Sequence, residues 1–165
     1  MITLIPVVEA DLPVLNELYE QAVNFFSFDE DSTPTPPADC LADGDLPPGN
    51  LPPGGTRDHF LIQSVVKDGH IVGYITYYKG YPAADAAYID LLLIDEKERG
   101  NGSSGEVVRR LLDALKSEDF HSVRCAVSLK NPHAMRFWYR MGFDRVTAVD
   151  IRAHDAGVEL QKTIE

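Results

Sequence analysis

Three features of the sequence predict a mixed α/β domain built on one sheet. Short β-branched runs alternate with amphipathic helical patterns, an Asp-Gly turn signal separates two of the runs, and a glycine-rich loop leads from a strand into a helix.

Each element follows from local chemistry. Residues 2–8 form a β-branched run and read as the first strand. Asp11 is placed to cap a helix, and Pro13 is tolerated in its first turn, where its missing N–H would be unsatisfied anyway. Leu12, Leu15, Leu18, Tyr19 and Ala22 then recur at helical spacing. Residues 27–56 change character: Asp29, Glu30 and Asp31 run acidic, and Leu-Pro-Pro-Gly occurs at 46–49 and again at 51–54. Proline sterics exclude a long helix there, although a short one around 37–42 fits. Residues 59–67 and 70–79 read as strands joined by the Asp68-Gly69 turn. Gly80, Tyr81 and Pro82 break the second.

Residues 87–94 are nearly all apolar and so belong at the sheet centre. Residues 102–116 are a helix with Val107, Val108, Leu111, Leu112 and Leu115 on one side, and 121–129 a strand. Residues 131–141 are a helix with Asn131 as N-cap, Pro132 at its first position and Gly142 as its stop. Two last strands, 146–152 and 158–164, flank residues 154–157. The whole of 1–165 reads as a single domain with a Pro-rich insert at about 27–56.

Composition narrows the function. Cys40 and Cys125 are the two cysteines and lack metal-ligand spacing, so neither zinc nor a disulfide scaffold is expected and a reducing cytoplasm fits. No run of eighteen apolar residues suggests a membrane span, and residues 1–7 lack the basic start of a signal peptide. The net charge of −11 would repel nucleic acid and anionic membranes and attract a cationic substrate. The same acidity would also serve solubility alone.

The sharpest motif is residues 94–105, Ile-Asp-Glu-Lys-Glu-Arg-Gly-Asn-Gly-Ser-Ser-Gly. Gly100, Gly102 and Gly105 permit close backbone approach, and the first N–H groups of the following helix point outward with the helix dipole behind them. Together they make an anion site sized for a diphosphate. No lysine follows as a Walker loop requires. The literal Gly-x-Gly-x-x-Gly sits too late in the chain, and its acids fall in the wrong place, for a dinucleotide fingerprint. A glycine-rich turn without a ligand is the plain alternative.

At this point the sequence resembles the GNAT (Gcn5-related N-acetyltransferase) superfamily. Residues 99–104, Arg-Gly-Asn-Gly-Ser-Ser, resemble its Arg/Gln-x-x-Gly-x-Gly/Ala loop, with Ser104 where Gly or Ala is usual. Residues 131–143 resemble its Asn-x-x-Ala-x-x-Phe-Tyr-x-x-x-Gly-Phe block, and residues 68–75 its central hairpin. The resemblance implies a mostly antiparallel sheet of six to seven strands, splayed central strands and helices on both faces. It implies acetyl-CoA as co-substrate, held by Arg99, Gly100, Asn101, Gly102, Ser103, Ser104 and Gly105. The pantetheine would pair with backbone at Leu92, Leu93 and Ile94. Asn131, Phe137 and Trp138 carry over as further cofactor contacts; Asn131 would serve equally as an N-cap.

Acetyl transfer to an amine needs a base for the ammonium proton, donors for the thioester oxygen and a proton for the leaving thiolate. Tyr88 and Asp90 are two residues apart on one strand and share a face. Both lie where the resemblance places a general base, direct or through water. Asp90 stands among apolar neighbours, where desolvation should raise its pKa; pairing with a nearby Arg or Tyr is the structural alternative. The family's usual acid, a tyrosine, falls at Trp138, which leaves Tyr139 or water. No metal is expected.

The reading is thus an N-acetyltransferase acting on a primary amine of a small molecule or peptide, cationic by the charge argument, with no nucleic acid or membrane partner and a homodimer as a possible assembly. The alternative is a non-catalytic acyl-CoA-binding module or sensor. The insert is expected to wall the acceptor site, with Phe25, Phe26 and Phe28 against an apolar stem and Asp29, Glu30 and Asp31 holding an ammonium.

Overall fold

The structure, a computed structural model, describes residues 1–25, 33–41, 46, 50–151 and 156–165. Its strands are β1 (Ile2–Pro6), β2 (Phe60–Lys67), β3 (His70–Lys79), β4 (Ala86–Ile94), β5 (Ser122–Ser128), β6 (Arg145–Ile151) and β7 (Ala156–Thr163). Its helices are α1 (Leu12–Phe25), α2 (Pro37–Leu41), α3 (Ser103–Ser117) and α4 (Pro132–Arg140). They form one seven-stranded sheet in the order β1-β2-β3-β4-β5-β7-β6. Every neighbouring pair is antiparallel except β4 and β5, which run parallel across the α3 connection. The expected mixed architecture, with the apolar run at 87–94 in the middle of the sheet, is the architecture found.

Local chemistry sets the elements. Asp68 and Gly69 both take positive φ, 51° and 81°, as a two-residue hairpin between right-twisted strands requires. Asn131 caps α4 by accepting the Ala134 N–H at 3.0 Å, with Pro132 at the first turn. Asp11 departs from expectation. A 3₁₀ turn over Glu9–Asp11 precedes α1, and the Asp11 carboxylate turns back to accept the Val8 N–H at 3.0 Å. Strand alternation sorts the core onto two faces. Val65, Ile75, Tyr77, Ala87, Ile89, Val123 and Cys125 pack under α3 and α4, whose Val107, Val108, Leu111, Leu115 and Trp138 join the same cluster. Ile62, Tyr74 and Leu93 pack on the other face under Leu15, Leu18 and Ala22 of α1 and Cys40 of α2. No helix among the described residues is long and apolar enough to cross a membrane.

Parts of the insert are folded onto the α1 face. The Tyr19 hydroxyl donates to the Pro34 carbonyl at 2.8 Å, Arg57 donates to the Asp39 and Cys40 carbonyls at 3.0 and 2.6 Å, and the Thr56 N–H donates to the Tyr78 hydroxyl at 3.0 Å. The side chain of Phe25 and all of Phe26, Phe28, Asp29, Glu30 and Asp31 lie outside the described residues, as does His154.

Candidate active site

The parallel pairing of β4 with β5 covers four residue pairs, Ala86 with Ser122 through Ile89 with Cys125. At the same point the register with β3 jumps: Tyr77 pairs with Ile89 and Thr76 with Leu91, so Asp90 is the extra residue of a β-bulge. A bulge bends its strand and sharpens the twist, and β4 turns away from β5 there. The expected splay of the central strands therefore has a named cause.

Asp90 sits at the mouth of that gap. Its carboxylate accepts the Thr76 hydroxyl at 3.2 Å, and Thr76 is buried on β3. The residue presents surface to solvent, yet protein atoms crowd the carboxyl from behind. That crowding raises its pKa above the ordinary carboxyl value and outweighs the opposing hydrogen bond from Thr76. The Asp90 charge also reaches the Cys40 thiol, whose pKa is pushed up to about 12, mainly by burial. Helix α2 of the insert thus lies within electrostatic range of Asp90. Cys125 is likewise buried, with its pKa raised by desolvation, so neither thiol is suited to act as a thiolate nucleophile.

Tyr88 is held from a different direction. Its hydroxyl donates to Glu159 of β7 at 3.0 Å, and Glu159 in turn accepts Arg124 of β5 and Thr147 of β6, each at 2.8 Å. Burial first, and then the Glu159 charge, raises the Tyr88 pKa. The phenol therefore stays protonated at neutral pH and donates to Glu159. Thr76, Arg124 and Glu159 were not singled out from the sequence. Arg124 carried the one available signal, a charge between the apolar Val123 and Cys125.

The two aromatic candidates on α4 separate. Trp138 is a core residue: its ring meets those of Phe137 and Phe143 edge-on at centroid distances of 5.0 Å. That burial leaves its indole little surface to offer a cofactor, which corrects the expectation of a contact there. Phe137 is half-buried beside it. Tyr139 points outward and is 67% exposed.

The loop after β4 has the geometry of an anion cradle. Asp95 starts a 3₁₀ turn over Glu96–Glu98 by accepting the Lys97 N–H at 3.0 Å. Gly100 and Gly102 take φ of 79° and 88°, and no atom lies within 4 Å of where a Cβ would stand on either. Gly102 is the N-cap of α3. Asn101 and Ser103 turn inward. Asn101 accepts the Ser103 N–H and hydroxyl at 3.2 and 2.7 Å and donates to Glu98 at 2.8 Å, while Glu98 pairs with Lys67 at 2.6 Å. Arg99 donates to the Ile94 carbonyl at 3.3 Å. These side chains brace the loop, and the N–H groups of Ser104 and Gly105, which have no acceptor within the helix, face outward. The residues present fit a diphosphate received by backbone. A depression of about 660 Å³ between α3 and the end of β7 holds none of the sequence-predicted site residues.

Comparison with known proteins agrees with this geometry. A family model described as the acetyltransferase (GNAT) family matches residues 15–143. No match is found among curated proteins. An acetyltransferase from Thermus thermophilus superposes with a TM-score of 0.73 at 21% identity, covering 99% of this chain and 97% of that one. The ribosomal-protein-S18-alanine N-acetyltransferase of Escherichia coli gives 0.71 at 15% identity, covering 100% and 95%. A protein described as a streptothricin acetyltransferase from Bacillus anthracis, in complex with acetyl coenzyme A, gives 0.57 at 17% identity, covering 65% and 64%. The chain belongs to the acetyltransferase (GNAT) family, an acyltransferase family that uses acetyl-CoA.

Proposed function

We propose that the protein transfers the acetyl group of acetyl-CoA to a primary amine of a small molecule or peptide by direct attack, with Asp90 as the base. The observation that carries this reading is a carboxyl with a raised pKa on the bulge where β4 leaves β5. Bound acetyl-CoA supplies the activated acetyl group. The N–H groups at the start of α3 hold its diphosphate, and Leu92, Leu93 and Ile94, which lie past the last β5 pairing, offer backbone to the pantetheine. Asp90 accepts the ammonium proton, directly or through water, and Thr76 fixes the carboxylate for that step. Water protonates the departing thiolate, because Trp138 is in the core and Tyr139 points outward.

The acceptor approaches from the face of α1 and α2, where Asp90 and the insert meet. Its preferred charge is positive, given the chain's net charge of −11. Two buried free thiols suit a reducing cytoplasm. The test is thiol release from acetyl-CoA across a panel of a polyamine, free amino acids, an aminoglycoside and a peptide N-terminus. At least one amine, most readily a cationic one, should give release matched by acetylated product. Binding of acetyl-CoA with no release for any amine would favour the acyl-CoA-binding module instead.

A further inference from the structure

We propose that Arg109 binds phosphate, closing over the diphosphate of acetyl-CoA from the second turn of α3. The proposal rests on the cofactor assignment above and adds a side chain to a site otherwise made of backbone.

Two consecutive arginines on α3 are used differently. Arg110 pairs with Glu106, one turn back, at 3.6 Å. Arg109 makes no hydrogen bond or ion pair with any described residue. Its side chain leans toward the helix N-terminus, as helical side chains do, and comes to rest beside Gly105. A Cβ on Gly105 would stand 3.3 Å from one guanidinium nitrogen of Arg109, 3.7 Å from the other, and 3.5 Å from the Met141 sulfur.

Gly105 has no backbone reason to be glycine. Its φ is outside the left-handed region, unlike those of Gly100 and Gly102. Glycine is less favourable than alanine in a helix. Its missing side chain leaves space that the Arg109 guanidinium borders, at the first turn of the helix.

Arg109 also borders the depression between α3 and β7 with Asp113, Asp144 and Glu165, and it pairs with none of the three. Glu98 and Glu106 flank the loop, and each already has partners: Glu98 the Lys67 ammonium and the Asn101 amide, Glu106 the Ile2 N–H at 2.9 Å and Arg110. Arg109 is the arginine of this helix left without one. A planar, always-charged fork beside unsatisfied backbone donors is the arrangement that grips paired phosphate oxygens.

The test is calorimetric binding of acetyl-CoA and 3′-dephospho-acetyl-CoA to the wild-type protein and to Arg109→Gln, an exposed substitution whose fold is checked by circular dichroism. The variant should bind both ligands about tenfold more weakly, and its affinity should fall less steeply with added salt. Unchanged affinity in the variant overturns the proposal. So does a loss confined to acetyl-CoA, which would give Arg109 the 3′-phosphate instead. A wild-type protein that binds neither ligand overturns the cofactor assignment, and this proposal with it.

Discussion

The proposed phosphate loop follows the end of β4 and the proposed acetyl-transfer seam lies in the middle of that strand, and the two are built by different rules. Most of the loop's bonds are local: Arg99 to Ile94, Asn101 to Glu98, Ser103 to Asn101. The working groups proposed for it are backbone amides. The seam is assembled from side chains far apart in sequence, with Thr76 on Asp90, Tyr88 on Glu159 and Arg124 on Glu159. The working group proposed for it is one carboxyl, Asp90, whose pKa burial raises. A site of the first kind fails when a backbone conformation is lost. A site of the second kind fails when a charge or a register is lost.

The largest expected effect separates the two directly. Asp90→Asn should lower the transfer rate by about 100- to 10,000-fold, the span of general acid–base contributions. Acetyl-CoA affinity, measured calorimetrically, should stay within twofold. In the wild type the rate should rise with pH through the raised Asp90 pKa, since only the ionised form accepts a proton. The stability sign is opposite. A carboxyl with a raised folded-state pKa favours folding while protonated and loses that contribution as pH rises through the folded value. Asp90→Asn should therefore melt higher than wild type at neutral pH. An equal rate in the variant, or a lower melting temperature, would break the contrast.

Gly102→Asp attacks the other end. It forces a side chain into a φ of 88° and sets a carboxylate against the diphosphate. Affinity for acetyl-CoA should fall on the order of 100-fold while the protein still folds by circular dichroism. Affinity near wild type would remove the cradle from the cofactor site.

Glu159→Gln is the smallest of the three and sharpens the seam's side. It leaves Arg124 without its carboxylate in a half-buried setting, with the side chains 25% and 19% exposed. Denaturant unfolding should show a loss of about 1–3 kcal/mol. A loss under about 0.5 kcal/mol would make the network incidental.

The same contrast explains what could be read in advance. The loop was legible because glycine spacing, strand and helix are adjacent in the chain. The apolar stripe of α3 was legible because periodicity is local: Val107, Val108, Leu111, Leu112 and Leu115 are all buried. The bulge at Asp90 was not, because it exists only in the register between β3 and β4. Tyr88 and Asp90 were both candidates for the base, and the hydrogen bond of Tyr88 to Glu159, 71 residues away, could not be read from their spacing. Asn101 and Ser103 read as cofactor contacts because they sit in the loop, and their side chains are spent bracing it. Trp138 belongs to the matched block, yet only the tertiary packing places its indole between Phe137 and Phe143.

The four-pair seam also bears on how the chain assembles. It divides the sheet into two antiparallel halves, β1–β4 and β5-β7-β6, each joined internally by longer ladders: eight pairs between β2 and β3, seven between β5 and β7. In the first half, β2, β3 and β4 follow one another through a two-residue turn and a short loop, at little cost in chain entropy, while β1 reaches β2 only after α1 and the insert. The second half joins β4 through β5 alone, across the α3 connection. The Tyr88–Glu159 hydrogen bond reaches over β5 from β4 to β7 and works as a clasp between the halves. The sheet has its shortest ladder where β4 and β5 part, and the Tyr88–Glu159 hydrogen bond reaches across that ladder.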